Sequence, residues 1–106
     1  MDPEYHRLDR LLHHGDPETA WPQVLEYVCR EATNHARWAE VATLVEDLIY
    51  LHADRFIDRI EAEAASNQQF RVALSMAYIG GIGGAAVERF LNLQASVSDA
   101  AGWRWH

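Results

Sequence analysis

Over residues 38–65 apolar side chains recur with a helical period, and neither Pro nor Gly interrupts the run. They fall at Trp38, Val41, Ala42, Val45, Leu48 and Ile49, and again at Phe56, Ile57, Ile60 and Ala64. This is the i, i+3, i+4, i+7 spacing of an amphipathic helix. The phase slips between Ile49 and Phe56, so the pattern predicts two helices with a break near His52-Ala53-Asp54, where Asp54 is a good N-cap. The first starts after Asn34 and runs to about Leu51. The second ends at Ser66-Asn67.

The rest of the chain repeats the theme with start and stop signals. Asp2 and Pro3 open a helix as N-cap and first residue, with Glu4 favourable in the first turn. Tyr5, Leu8, Leu11 and Leu12 form its apolar stripe, and Gly15 sits where a C-cap belongs. Asp16, Pro17 and Glu18 repeat the start signal. Pro22 belongs in the first turn of its helix, because deeper inside it removes a hydrogen bond and clashes. The second helix therefore begins near Pro17 with a distortion, or near Pro22, and buries Trp21, Val24, Leu25, Val28 and Cys29. A further helix is expected from about Gln68 to Ile79, burying Phe70, Ala73, Leu74 and Ala77. Gly80, Gly81, Gly83 and Gly84 break it, and a last helix carries Val87, Phe90, Leu91 and Leu93. No long segment alternates polar and apolar residues as a strand would.

The expectation is one all-α domain, residues 1–106, of five to six short helices. Short loops favour antiparallel hairpins, two of them stacked in the manner of an α-solenoid fragment, although no internal repeat is visible. Residues 96–106 read as a weakly patterned aromatic tail ending in Trp103-Arg104-Trp105-His106.

Composition narrows the function classes. At 49% hydrophobic and 24% charged residues the chain has the means to fold. A formal charge of −7 repels phosphate backbones and anionic membranes and attracts a basic protein. No apolar run approaches the roughly 18 residues of a membrane span. The first residues lack the apolar region of a signal peptide, and Cys29 stands alone, so the expected location is the cytoplasm.

Candidate chemistry is thin. Gly81, Gly83 and Ala86 fit G-x-G-x-x-A, which cradles a pyrophosphate only between a strand and a helix. Here a helix precedes it and 22 residues follow Gly84, too few for a nucleotide fold, so it reads as a turn. Among the six histidines, His6 and His13 are two helical turns apart, roughly 10 Å, too far to share an ion. His35 and His52 lack metal-ligand spacing, and His13 and His14 suit a helix C-terminus. Cys29 shares an apolar stripe with Leu25 and Val28 and reads as a small core residue. No catalytic residue, cofactor or metal is expected.

The acidic face carries more information. Residues 38–65 hold seven acidic side chains against two arginines, a net of five negative charges. Glu46, Asp47, Asp54, Asp58 and Glu61 lack bases at i±4; they are the expected contact surface for a basic partner, the alternative being a face that only keeps the protein in solution. Tyr50 is an expected anchor, and Trp103 and Trp105 either fold back on the core or serve as further anchors, aromatic residues being frequent hot spots.

Val45-Glu46-Asp47-Leu48 through His52, then Phe56-Ile57-Asp58-Arg59-Ile60-Glu61-Ala62-Glu63-Ala64, then Phe70-Arg71 and Leu74, resemble a family of small uncharacterised bacterial helical domains. That family's pattern is a Glu-Asp-Leu-Leu helix, a His-Gly turn and an Ile-Glu-x-Glu-Ala helix, and this chain departs from it at Ala53. The resemblance covers about the middle third and implies a helical domain without assigned chemistry. By size and charge alone the chain is similar to immunity proteins, which neutralise bacterial toxins. The leading expectation is thus an immunity or antitoxin-like inhibitor of a basic toxin. The alternatives are an adaptor module, with a homodimer through the tryptophan tail, and a small metal-dependent or hydrolytic enzyme.

Overall fold

Four short polar side chains set where helices begin. Asp2 accepts a hydrogen bond from the Glu4 amide at 3.0 Å, Asp16 from Glu18 at 3.2 Å, Asn34 from Ala36 at 3.1 Å and Asn67 from Phe70 at 3.0 Å. Each removes an amide left unpaired at a helix start. In the computed structural model, which describes residues 2–100, the helices that follow are α1 (Pro3–His14), α2 (Pro17–Glu31), α3 (Trp38–Ser66), α4 (Gln68–Met76) and α5 (Ala85–Ala100). A single 3-10 turn, His35–Arg37, leads into α3. No strand occurs among the described residues, and the protein is an all-α single domain.

α2 begins at Pro17, so Pro22 lies in its second turn rather than its first. The start is fixed by Asp16, which also accepts from the Thr19 hydroxyl at 2.9 Å. Pro22 is exposed, so water can satisfy the carbonyl that its missing N–H leaves unpaired. The break expected near residues 52–54 falls at His52, whose φ of −141° and ψ of 27° are non-helical. Two helices therefore meet there at a kink, as the pattern predicts, and α3 denotes the pair over its 29 residues. His52 Nε2 lies 3.1 Å from the Leu12 carbonyl, so the residue that interrupts α3 also closes the end of α1.

The apolar stripes converge, except at Leu91, which was expected on the stripe of the last helix and is exposed. Leu8 and Leu12, Val24 and Val28, Val41, Val45, Leu48, Ile49, Phe56, Ile57 and Ile60, Phe70 and Leu74, and Val87 and Phe90 are all buried. α3 packs on each of the other four helices. Trp21 stacks on Phe56 at 5.2 Å and meets Phe70 edge-on at 6.2 Å, joining α2 to α3 and α4. Tyr27, absent from the expected stripe, is fully buried because its hydroxyl donates to the Asp2 carboxylate at 2.9 Å. Burial and that carboxylate both push its pKa up.

α4 stops at Met76, three residues short of the expected end. Side chains from its neighbours take over the backbone hydrogen bonds there. Gln94 Nε2 donates to the carbonyls of Leu74 at 2.8 Å and Ala77 at 2.6 Å. The Tyr78 amide donates to Glu46, and the Tyr50 hydroxyl both accepts from the Gly80 amide and donates to its carbonyl. Gly81 and Gly84 have φ of 79° and 123°, which require glycine. The segment from Ser96 that reads as tail starts as helix: α5 runs to Ala100, and Val97 is buried.

Candidate functional site

The carboxylates of α3 do not form one uncompensated face. Bases that are distant in sequence reach several of them. Arg89 of α5 donates to Asp58 at 2.7 Å and through two nitrogens to Glu61. Arg55 and Arg59, on α3 itself, turn away to Glu18 of α2 at 3.1 and 2.8 Å. Their hydrogen bonds, Arg59 first, hold the Glu18 carboxyl below its ordinary range. Glu46 is occupied by the Tyr78 amide at 2.8 Å. Asp54 is exposed and has no ion pair with a described residue.

Asp47 has the opposite surroundings. Its side chain is 22% exposed and faces α1, where Asp9 and His13 stand one turn apart. Burial, then a hydrogen bond shared with the Asp9 carboxyl, then the charges of Asp9 and Glu46 push its pKa up to about 6 against a partial pull from His13. His13 Nδ1 lies 2.8 Å from the Asp9 carbonyl and its Nε2 3.8 Å from Asp47 Oδ2. The backbone contact first, then the two carboxylates, raise the His13 pKa against a smaller effect of burial. The sequence pairs His13 only with histidines on its own helix. Asp47 is 34 positions away, and spacing along one helix cannot reveal it.

A third arrangement lies where α3 kinks and the glycine segment begins. Tyr50, Leu51, Tyr78 and Ile82 are exposed large hydrophobic residues, Tyr78 at 80%. They are neighbours. The Tyr50 hydroxyl grips Gly80, and the Tyr78 ring lies so close over Gly80 that a Cβ there would meet it at 3.2 Å. Leu51 and Ile82 line the same groove, about 510 Å³, together with Asp54, Arg55 and Gly83. Of the eight residues singled out from sequence, Tyr50 and Asp54 meet in this groove, and Glu46 lies outside it, holding the Tyr78 amide. Asp58 and Glu61 meet at Arg89, and Asp47 faces α1. Trp103 and Trp105 lie outside the described residues. Leu51, Tyr78 and Ile82 were missed. The available signal was large apolar residues placed beside a helix break instead of on a stripe.

Other candidates carry less. The Cys29 thiol is pushed up by burial, opposite to what a nucleophile needs, and accepts a long contact of 3.6 Å from Asn67. Gly81 and Gly84 serve a helix–helix connection that follows α4 and no strand. A cleft of about 400 Å³ lies between His35, Trp38, Val72, Met76 and Val97, but Arg71 in its wall is committed to the Ala64 carbonyl at 2.6 Å. Among the described residues no helix is long and apolar enough to cross a membrane.

Neither the curated proteins nor the solved structures contain a match to this chain. The sequence pattern of one family does match, over residues 6–81. That stretch starts within α1, runs through α4 and stops before α5, and it holds the Asp9–His13–Asp47 group and the Tyr50–Tyr78 contact region. Covering most of the chain, the match shows that the protein belongs to a family of unknown function, DUF6869.

Proposed function

We propose that this is a protein-interaction module, an inhibitor of the immunity-protein type that occludes a basic toxin or effector domain. The observation that carries this reading is the contiguous exposure of Tyr50, Leu51, Tyr78 and Ile82 on a chain with a net charge of −7. Aromatic and aliphatic side chains in a shallow groove are the usual anchors of a binding surface. Asp54 sits within the groove that Tyr50, Leu51 and Ile82 line, so a lysine or arginine flanking an apolar side chain of the partner meets both kinds of contact. Asp58 and Glu61 add long-range attraction, although Arg89 offsets part of it. The anchors hang on a segment held by side-chain hydrogen bonds from α3 and α5, which gives the surface a fixed shape at little entropic cost on binding.

The test is capture from source-cell extract on the immobilised protein, compared with Leu51→Ser/Asp54→Lys/Ile82→Ser. These exposed changes leave folding within about 0.5 kcal/mol each. A basic protein retained by the wild type, lost by the triple variant, and stoichiometrically inhibited in its own activity supports the reading. Equal retention by both proteins overturns this surface. A concentration-dependent dimer that the same variant abolishes replaces the inhibitor with the adaptor homodimer.

A further inference from the structure

We propose that Asp9, His13 and Asp47 form a binding site for a first-row divalent transition cation, with Zn²⁺ as the best-matched ion, that clips α1 to α3. One ligand atom from each residue lies within 4.8 Å of the other two. The group joins adjacent turns of α1 to the middle of the N-terminal half of α3. Neighbouring helices therefore hold the three residues in place before any ion arrives.

The imidazole is set for ligation. With Nδ1 at 2.8 Å from a backbone carbonyl, the neutral ring places its proton on that nitrogen and leaves the Nε2 lone pair for an ion. A metal-ligating histidine is oriented in the same way, donating its second ring nitrogen to a carbonyl or carboxylate. The lone pair faces Asp47 Oδ2 at 3.8 Å, too long for a hydrogen bond. Two ligands on one ion with bonds near 2.1 Å stand about 3–3.5 Å apart, so small side-chain rotations close the site.

The electrostatics agree. Asp9 and Asp47 face each other, Glu46 adds a third negative charge nearby, and both carboxylates also act on the Tyr5 hydroxyl. Partial exposure of Asp9 and His13 leaves an entry path from water. The choice of ion follows from the donors. One imidazole and two carboxylates suit Zn²⁺ or Mn²⁺, whereas Ca²⁺ takes six to eight oxygens and Mg²⁺ keeps mostly water and oxygen. Three protein ligands leave the fourth position of a tetrahedral ion to water.

Calorimetric titration of untagged, chelator-stripped protein with ZnCl₂ at pH 7.5 tests the site, alongside thermal melting with and without the ion. One saturable site per chain and a raised melting temperature are expected, with MgCl₂ giving neither. Asp47→Asn and His13→Gln should each weaken Zn²⁺ at least about tenfold, the loss that even an outer-shell partner causes. His14→Gln, exposed and next in sequence, should change nothing. Circular dichroism confirms that each variant folds, and Asp9→Asn serves as a third disruption if either does not. An absence of saturable binding overturns the proposal. So does binding that survives Asp47→Asn and His13→Gln, which would place the ion on other surface histidines.

Discussion

The two halves of α3, before and after His52, carry similar numbers of carboxylates and treat them differently. After the kink, Asp58 and Glu61 meet Arg89, while Arg55 and Arg59 meet Glu18, all near the surface. Before it, Asp47 turns inward against a second carboxyl, with a histidine as the basic group in reach. The first arrangement spreads charge over exposed pairs that each contribute little. The second concentrates negative charge where water is partly excluded, and a proton or a cation is what relieves it. Acid content along a helix therefore says little by itself. What matters is which neighbouring element supplies the counter-charge.

The largest expected effect treats the halves alike. Leu48 and Ile60 are both buried, one on each side of His52. Truncating either to Ala should cost about 2–5 kcal/mol in urea unfolding, from lost transfer energy plus a cavity. A loss at Ile60 with none at Leu48 would mean that the half facing α1 stands outside the core.

Asp47→Asn should separate the halves. The folded Asp47 carboxyl has a pKa raised from 3.8 to about 6, so between these values the native state holds a proton that the unfolded chain has lost. This group therefore favours the native state most below about pH 4, and that contribution declines as pH climbs towards 6. The shift corresponds to at most about 3 kcal/mol, and partial exposure brings it to about 1–2 kcal/mol. His13, also raised, adds a decline in the same direction at higher pH. With chelator present, the Asn variant should be the more stable protein at pH 7 and should lose the slope between pH 4 and 6. An unchanged slope would show that Asp47 is as well solvated as Asp58.

The smallest effect belongs to the other half. Arg89→Ala should destabilise far less than either core truncation, because Asp58 is 85% exposed and the pairs compete with water. Salt near 1 M, where charges are screened within about 3 Å, should erase even that. A loss as large as a core truncation would make the Arg89 clamp a main tie between α3 and α5.

Much of the helix inventory was legible, because it depends on local chemistry. Asp2, Asp16 and Asn67 cap α1, α2 and α4, whereas Asn34 caps the 3-10 turn ahead of α3 and not α3 itself; the period-3.6 stripe of α3 is the buried one. Legibility fails where one element finishes another. α4 ends early because Gln94, Glu46 and Tyr50 offer its backbone better partners than a further turn. Tyr27 is core because Asp2 satisfies its hydroxyl across the α1–α2 contact. The candidate sites follow the same rule. Tyr50 and Asp54 were visible as single residues, but the groove needs Ile82 from another segment, and the metal-capable group needs residues from two helices.

His52 has a consequence for how the molecule breathes. On the N-terminal side α3 is tied to α1, through Asp47 and through the His52 ring on the Leu12 carbonyl; on the C-terminal side it is tied to α2 and α5. A helix interrupted at one residue and anchored differently on each side opens in pieces. In deuterium exchange α3 should label as two units: the first half sharing its protection with α1, the second sharing it with α5, and the boundary falling at the residue that joins them.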